Sequence, residues 1–462
     1  MTHTPRRLIR TFDATMLVVG SMIGSGIFIV SADSARHVGT GPRLLAVWSV
    51  AGLLTVIASI SCAELATMYP EAGGPYVYLT KAFGPVWGFL YGWSLVTVVQ
   101  TGTIAAVAIA FARFLSVLVP LGGEAFEKTV AVALIAVLTA ANARGLKTGT
   151  RIQNVLTVVK GAALVGLTVG CLLTARRATP AVAATVESAA TAVTTAPSAA
   201  APANVMPSVA AATALPFALL PFALAMAGPL FSQSAWTNVT FPGAEVAEPS
   251  RTFPRALVGG CALVASLYVL ANVGYLQVLG FDGIAGAPMK RVGTAAAEAL
   301  LPGLGAALMA SAILISTSGC VNGLILSGGR ILYALAQDVR FLDVAARLNN
   351  RDVPGIALLL QAVWASLLVL SGGYSELIRY VLSAELILSI LLVLAVPALR
   401  RKEPDLPRGY RTWGYPVTPW LYAIPATALA ALLLVGSPKT NGPGLLIVLS
   451  GLPVYFLTKR RA

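Results

Sequence analysis

The chain has 462 residues, 57% of them hydrophobic and only 11% charged, with a mean hydropathy of +0.81. A soluble globular chain carries about 25% charged residues, so three ordinary soluble domains are excluded, and the chain is far too apolar for disorder. Its net charge of +14 is dispersed between apolar runs, which excludes a nucleic-acid patch and points to membrane topology.

A helical span needs about 20 apolar residues, and the runs predict about twelve spans. They fall near 14–35, 44–68, 84–119, 128–145, 152–174, 213–247 (interrupted), 255–280, 303–337, 355–371, 377–399, 416–436 and 442–458. Other breaks give eleven or thirteen; twelve fits best. Lys and Arg favour alternate loops by roughly two to one, which places both termini in the cytoplasm. Arg6-Arg7 before an apolar run also resembles a secretory leader, but the run continues into further spans without a convincing cleavage site. The chain thus divides into a cytoplasmic N-terminus (1–13), five spans (14–175), an extracellular Ala/Thr/Pro-rich loop (176–212), five more spans (213–399), a basic cytoplasmic loop (400–415) and two last spans (416–462). Cys62, Cys171, Cys261 and Cys320 all lie in apolar stretches and read as packed thiols. The only histidines, His3 and His37, lie in flanking segments, which argues against a histidine metal site or catalytic triad.

In chain order, the first span contains Gly20-Ser21-Met22-Ile23-Gly24-Ser25-Gly26-Ile27-Phe28. Each glycine costs a helix about 1 kcal/mol relative to alanine, and backbone freed from a helix in the membrane must face protein, water or a ligand. Such a break offers N–H groups suited to a carboxylate. The same small residues also suit close helix packing, and the residues alone leave both readings open. Glu64 sits near the cytoplasmic end of the second span, as a gate or loop partner of an arginine or as a solvated surface acid. Gln100 in the third span and Asn322 in the eighth either line a pathway or bond helix to helix, while Arg113 can snorkel outward. Lys160 lies about eight residues, or ~12 Å, inside the fifth span, where a lysine costs about 2.5–3.5 kcal/mol unless it snorkels.

The sixth span is interrupted over Ala227-Gly228-Pro229-Leu230-Phe231-Ser232-Gln233-Ser234-Ala235-Trp236-Thr237-Asn238, where proline removes a donor and polar residues cluster. Glu245 and Glu248 follow it, and Glu385 inside the tenth span is a proton-site candidate with no motif behind it. Spans one and six open the two five-span sets. Matching breaks point to a midplane substrate site in an inverted-repeat transporter, although no residue-level repeat is visible. Neither a Walker motif, a metal-ligand cluster nor a nucleophile–base pattern occurs, so an enzyme is not expected. A channel is disfavoured too, because nothing suggests a ring of charges or repeated pore loops.

Four stretches resemble the amino acid–polyamine–organocation superfamily of permeases, closest to its L-type amino acid transporter and prokaryotic branch. They are Gly24 to Phe28; Ala63 to Tyr76; Phe231 to Trp236 with Glu245-Val246 and Pro249 to Pro254; and Asn322-Gly323 with Gly329 to Ala336. The resemblance covers roughly residues 10 to 400. It implies an all-α integral membrane fold of the LeuT type: a 5+5 inverted repeat, broken helices one and six, and two extra C-terminal helices.

The resemblance further implies that a substrate carboxylate sits on the N–H groups of Gly24, Ser25 and Gly26, with the Ser25 hydroxyl as an extra donor. The substrate ammonium would meet carbonyls of Met22 or Ile23, and of Phe231 and Ser234. Phe231 matches the family's aromatic gate, and Trp236 lines the pathway or is an ordinary interface tryptophan. Lys160 would replace the sodium ion of coupled relatives and is a candidate proton carrier; Glu64 and Glu245 are gate candidates. The chain departs from the pattern at the sixth-helix break, which reads Phe-Ser-Gln-Ser-Ala-Trp where relatives often have Phe-Ala-Tyr/Phe-x-Gly-Trp. Ser234 and Ala235 add bulk, which predicts a smaller pocket, and Gln233 either selects side chains or faces a neighbouring helix. With no acid in either break, the expected substrates are neutral L-amino acids, moved by alternating access through proton symport or exchange. A cationic amino acid or polyamine permease is the alternative, for which only Glu385 supplies an acid. Expected partners are the substrate, the lipid bilayer and protons, without cofactor, metal or nucleic acid. A disulfide-linked subunit is not expected, since residues 119–128 lack cysteine.

Overall fold

The computed structural model describes residues 7–119, 123–175, 214–288, 291–338, 340–371, 374–436 and 438–458. The expectations for the 178–212 loop therefore lie outside the described residues. What is described is all-α, with two isolated bridges, Ile9 to Val246 and Ala72 to Pro242, as its only β pairing. This is the arrangement a bilayer demands, since a helix satisfies its own backbone.

The helices run α1 Thr11–Met22, α2 Gly26–Val38, α3 Gly41–Met68, α4 Pro75–Phe83, α5 Pro85–Ser94, α6 Gln100–Leu118, α7 Glu124–Ala143, α8 Leu146–Ala175 and α9 Ala214–Ser232. Then follow α10 Pro249–Pro254, α11 Gly260–Ala285, α12 Val292–Leu300, α13 Gly305–Asp338, α14 Gly355–Ser371, α15 Tyr374–Lys402, α16 Val417–Gly436 and α17 Pro438–Thr458. The π turns Leu95–Val99 and Arg255–Gly259 join α5 to α6 and α10 to α11. Among the described residues six helices are long and apolar enough to cross a membrane, or seven if α1 and α2, bent by 43°, form one span. The long third run is thus one helical path carrying a π turn at its middle.

Local chemistry explains where elements start and stop. α1 begins where the Asp13 carboxylate accepts the Arg10 N–H at 3.1 Å, and Asn154 of α8 donates to its other oxygen at 2.6 Å. α2 ends on Gly39 at φ 73°, a left-handed cap that spares glycine the Cβ penalty. α8 shows how a span in lipid inverts the soluble pattern. Its buried stripe is Gln153, Thr157, Lys160, Leu164, Thr168 and Cys171, at helical spacing, while Val155, Val158, Val165, Val169 and Leu173 face outward.

α1 packs against α8, α13 and α11; α2 lies along α9, α3 along α11 and α6 along α13. Small residues set these distances. A Cβ at Gly52 would lie 2.8 Å from Cβ of Ala265, and one at Gly260 2.8 Å from Cγ1 of Val18. The basic loop and several helix ends meet at one end of the bundle, where Leu8 and Ile9 donate to the Glu245 carbonyl at 2.9 and 3.0 Å and Ala247 donates to Ile9 at 2.8 Å.

This packing separates two kinds of glycine. Gly52→Val is expected to lower the melting temperature and folded yield in detergent, because α3 must move off α11. Gly166→Ala on α8 meets no atom within 4 Å and is expected to raise the melting temperature, in line with a helix gain of about 1 kcal/mol.

Candidate functional site

The first break spans Ile23 to Ser25, between α1 and α2. Its carbonyl side is covered by donors from three other helices. The Lys160 ammonium, 1% exposed, donates to the carbonyls of Gly20, Ile23 (2.7 Å) and Ser316 (3.4 Å). The Tyr268 hydroxyl donates to Met22 at 3.1 Å, the Ser316 hydroxyl faces Ile23 and Gly24 at 3.2 Å each, and the Cys320 thiol faces Ser21 at 3.2 Å. A cation at the negative end of a half-helix is where dipole and charge agree. Lys160 therefore ties α8 to the first break instead of snorkelling. Tyr268 and Ser316 went unnoticed in the sequence, and Cys320 read only as a packed thiol; the one available signal was the four-residue spacing of Ser316 and Cys320, which puts both on one face of α13.

The opposite side of the break is open in hydrogen-bonding terms. Ser25, 4% exposed, stands at the N-cap of α2 and makes no side-chain cap bond; its carbonyl accepts from the Phe28 N–H at 3.1 Å, and no bond from the Gly24, Ser25 or Gly26 N–H to another described residue is present. The glycines also serve packing: a Cβ at Gly26 would strike the Ser232 side chain, and one at Gly20 would strike Gln153 and Thr157. Gly26 and Ser232 bring the two breaks side by side.

The second break sits at Gln233 to Ala235, after α9 and before a 3-10 turn over Trp236–Thr240. The helix runs through Pro229, where the sequence suggested interruption. The Ser34 hydroxyl donates to the Ala225 carbonyl at 2.8 Å, filling the bond that Pro229 cannot make. The chain turns instead at Ala235, which holds φ 66°, a left-handed conformation costing an L-residue about 1–2 kcal/mol. Gln233 is fully buried and neither atom of its amide has a partner. Trp236 is buried, whereas Phe231 is half-buried against the core.

Two cavities of about 30 Å³ flank this second break, each with room for roughly two waters. Ser234, Trp236, Glu385 and Ser389 line both. Tyr91, Gln100 and Thr103 close the first, and Thr55, Gln233 and Tyr422 the second. Glu385 lines the first cavity together with Ser234 and Ala235, an acid beside the start of the 3-10 turn. The predicted residues Met22, Ile23, Gly24, Ser25, Gly26 and Phe231 line neither cavity, so the space around the two breaks is not one open pocket here.

The predicted acids at the helix ends are paired. Glu245 and Arg330 form a buried double contact at 3.1 and 3.2 Å. Glu64, fully buried, receives Arg400 at 2.7 and 2.8 Å, the Thr412 N–H at 2.6 Å and Arg408 at 3.3 Å. It thereby fastens the basic loop onto α3. Nearby, the Tyr76 hydroxyl donates to Asp338. Glu248 makes an exposed contact with Arg251 at 3.5 Å, and Arg113 meets Glu127 at 3.3 Å. Asn322 accepts from Asn142 and donates to Gln153, both at 2.9 Å, which makes it a helix-to-helix bond. Gln100 does both things: it bonds the Leu324 carbonyl at 2.8 Å and lines the first cavity.

Residues 9–456 match the family model described as amino acid permease. The serine/threonine exchanger SteT of Bacillus subtilis (strain 168) is 26% identical over 452 residues, covering 97% of this chain and 96% of that one. Large neutral amino acids transporter small subunit 2 of Homo sapiens is 28% identical over 461 residues, 96% of this chain and 78% of its own. Asc-type amino acid transporter 1 of Mus musculus is 26% identical over 455 residues, 96% and 79% respectively.

Two substitutions test the breaks as built. Ala235→Gly is expected to stabilise the folded protein by about 1 kcal/mol by relieving the left-handed turn, read as a higher melting temperature. Lys160→Met leaves buried carbonyls without a donor and is expected to cost about 2–3 kcal/mol, read by the same melt.

Proposed function

Because the chain belongs to the amino acid permease family, we propose that it carries neutral L-amino acids across the cell membrane by alternating access, through proton symport or amino acid exchange. Transport of amino acids by a membrane-embedded, non-catalytic permease is common to the family; the substrate set and coupling are this proposal. The observation that carries it is the asymmetry of the first break. Its carbonyl end is filled by Lys160, Tyr268, Ser316 and Cys320, and the N–H end at Ser25 and Gly26 is left for an anion.

In this reading the substrate carboxylate binds at Gly24, Ser25 and Gly26, and the ammonium uses the remaining carbonyl lone pairs of Met22 and Ile23 with those of Phe231 and Ser234. Phe231 covers the substrate, Trp236 lines the pathway and Gln233, whose amide lacks partners, reads the side chain. Twelve spans in two inverted sets of five plus two, with both termini in the cytoplasm, put Glu245–Arg330 and the Glu64 cluster at the cytoplasmic gate. Water-sized cavities mean that substrate enters only after the breaks part. The names of the relatives, serine/threonine exchanger and large neutral amino acids transporter, support neutral substrates. Glu385 supplies one acid for the cationic or polyamine alternative, and it lies outside the breaks.

The test is uptake of labelled amino acids by proteoliposomes, with and without internal unlabelled amino acid and with an imposed pH gradient. Saturable uptake of neutral amino acids is expected, and preference for lysine or putrescine overturns the substrate assignment. Gly26→Val, which drives a side chain into Ser232 and the N–H end, is expected to lower uptake more than tenfold in protein that still elutes as a folded monodisperse species. Breaking the gate by Arg330→Ala strands a buried carboxylate, at about 3–5 kcal/mol. It is expected to lower the melting temperature and to increase access of a thiol reagent to a cysteine placed at Ser327.

A further inference from the structure

We propose that Glu385, and not Lys160, is the group that takes up and releases the proton coupled to transport. The proposal rests on the transporter reading above and specifies its coupling.

The two ionisable groups at the breaks differ in what surrounds them. Lys160 has its ammonium spread over three carbonyls, one for each N–H, and lines neither cavity. Glu385 stands between two cavities, each large enough for about two waters. Among the described residues that line the two cavities with it, none carries a charge. Tyr91 of α5 and Tyr422 of α16 are the titratable groups facing it among the described residues. The polar lining from α3 and α6, Thr55, Gln100 and Thr103, carries no charge. A carboxylate inside the membrane without a cation beside it is held either by dipoles or by a proton. Here both are within reach.

The same side chain grips the moving part. Glu385 shares a cavity with Ala235, the left-handed residue at which the sixth-helix path turns and the 3-10 turn Trp236–Thr240 starts. When a water in one cavity passes a proton to a carboxylate oxygen, the side chain becomes neutral and its attraction for the positive N-terminal end of that turn is lost. The strained turn is then free to rearrange and to carry Trp236–Thr240 with it. Return of the proton to water in the other cavity restores the carboxylate and the grip. One proton moves in and one out, and no bond other than O–H is made or broken. The two cavities that this one acid lines supply the two routes.

The experiment uses the full-length protein in proteoliposomes, comparing accumulation driven by an imposed pH gradient with counterflow, in which internal unlabelled amino acid drives label inward. The wild-type protein is expected to accumulate substrate above equilibrium when the outside is acidic. Glu385→Gln, a mimic of the protonated state, is expected to lose that accumulation at least tenfold while keeping counterflow within about twofold. Glu385→Asp is expected to retain gradient-driven uptake with a displaced pH profile, and Lys160→Arg to retain gradient dependence. Gradient-driven accumulation by Glu385→Gln at the wild-type level overturns the proposal, as does a wild-type protein that exchanges without any response to the gradient. Loss of both activities in folded Glu385→Gln assigns the residue to substrate binding and overturns it as well. No amino acid transport by the folded wild type under either condition defeats the transporter reading itself.

Discussion

Breaking a helix inside a membrane exposes a carbonyl end on one side and an N–H end on the other, with no water to satisfy either. This protein does so twice and meets each break with a charge of the matching sign. Lys160 covers the carbonyl end of α1, and Glu385 lies beside the start of the 3-10 turn after α9. The dipole rule that places cations at helix C-termini and anions at N-termini is applied at both, in a medium where the alternative is an unsatisfied group. α8 has its polar stripe turned inward because it must deliver Lys160 to α1, and α13 presents Ser316 and Cys320 to the same carbonyls. The N–H end of α2 has no side-chain cap at Ser25.

Close packing is the second condition, and it follows from the first. A lysine whose stem is fully buried reaches the break only if α1 and α8 run nearly in contact, which Gly20 permits by leaving room for Gln153 and Thr157. Gly26 does the same for Ser232 and brings the second break beside the first. The glycines of the first span therefore act as both hydrogen-bonding gap and packing surface, and the two readings of that motif describe one object.

Much of this was legible because the membrane allows few exceptions. Three glycines in seven residues announced the first break, and a lysine eight residues into an apolar run had to be neutralised by something. Glu64 and Glu245 could be paired with arginines in kind but not in identity, since Arg400 and Arg330 come from helices far along the chain. The second break lies inside the stretch Ala227–Asn238 that the sequence marks, but at Gln233 to Ala235 and not at its proline. Pro229 is the stronger sequence signal, yet Ser34, remote in sequence, repairs the bond that proline lacks, and Ala235 makes the turn with no glycine to advertise it. Tyr268, Ser316 and Cys320 look like ordinary residues of apolar spans, and their role depends on which helices face α1. The span count is blurred for the same reason: the bend between α1 and α2 divides one apolar run into two short helices.

The clip between Leu8, Ile9 and residues 245–247 joins the start of the chain to the backbone of the acid that holds Arg330. It works as a mechanical linkage: a pull on the residues before Leu8 is transmitted through three backbone bonds to an ion pair between the turn holding Glu245 and α13. Cargo attached upstream, such as a fluorescent protein or a surface tether, will load that linkage. A C-terminal attachment leaves it slack and is the better place for a label when turnover is being timed.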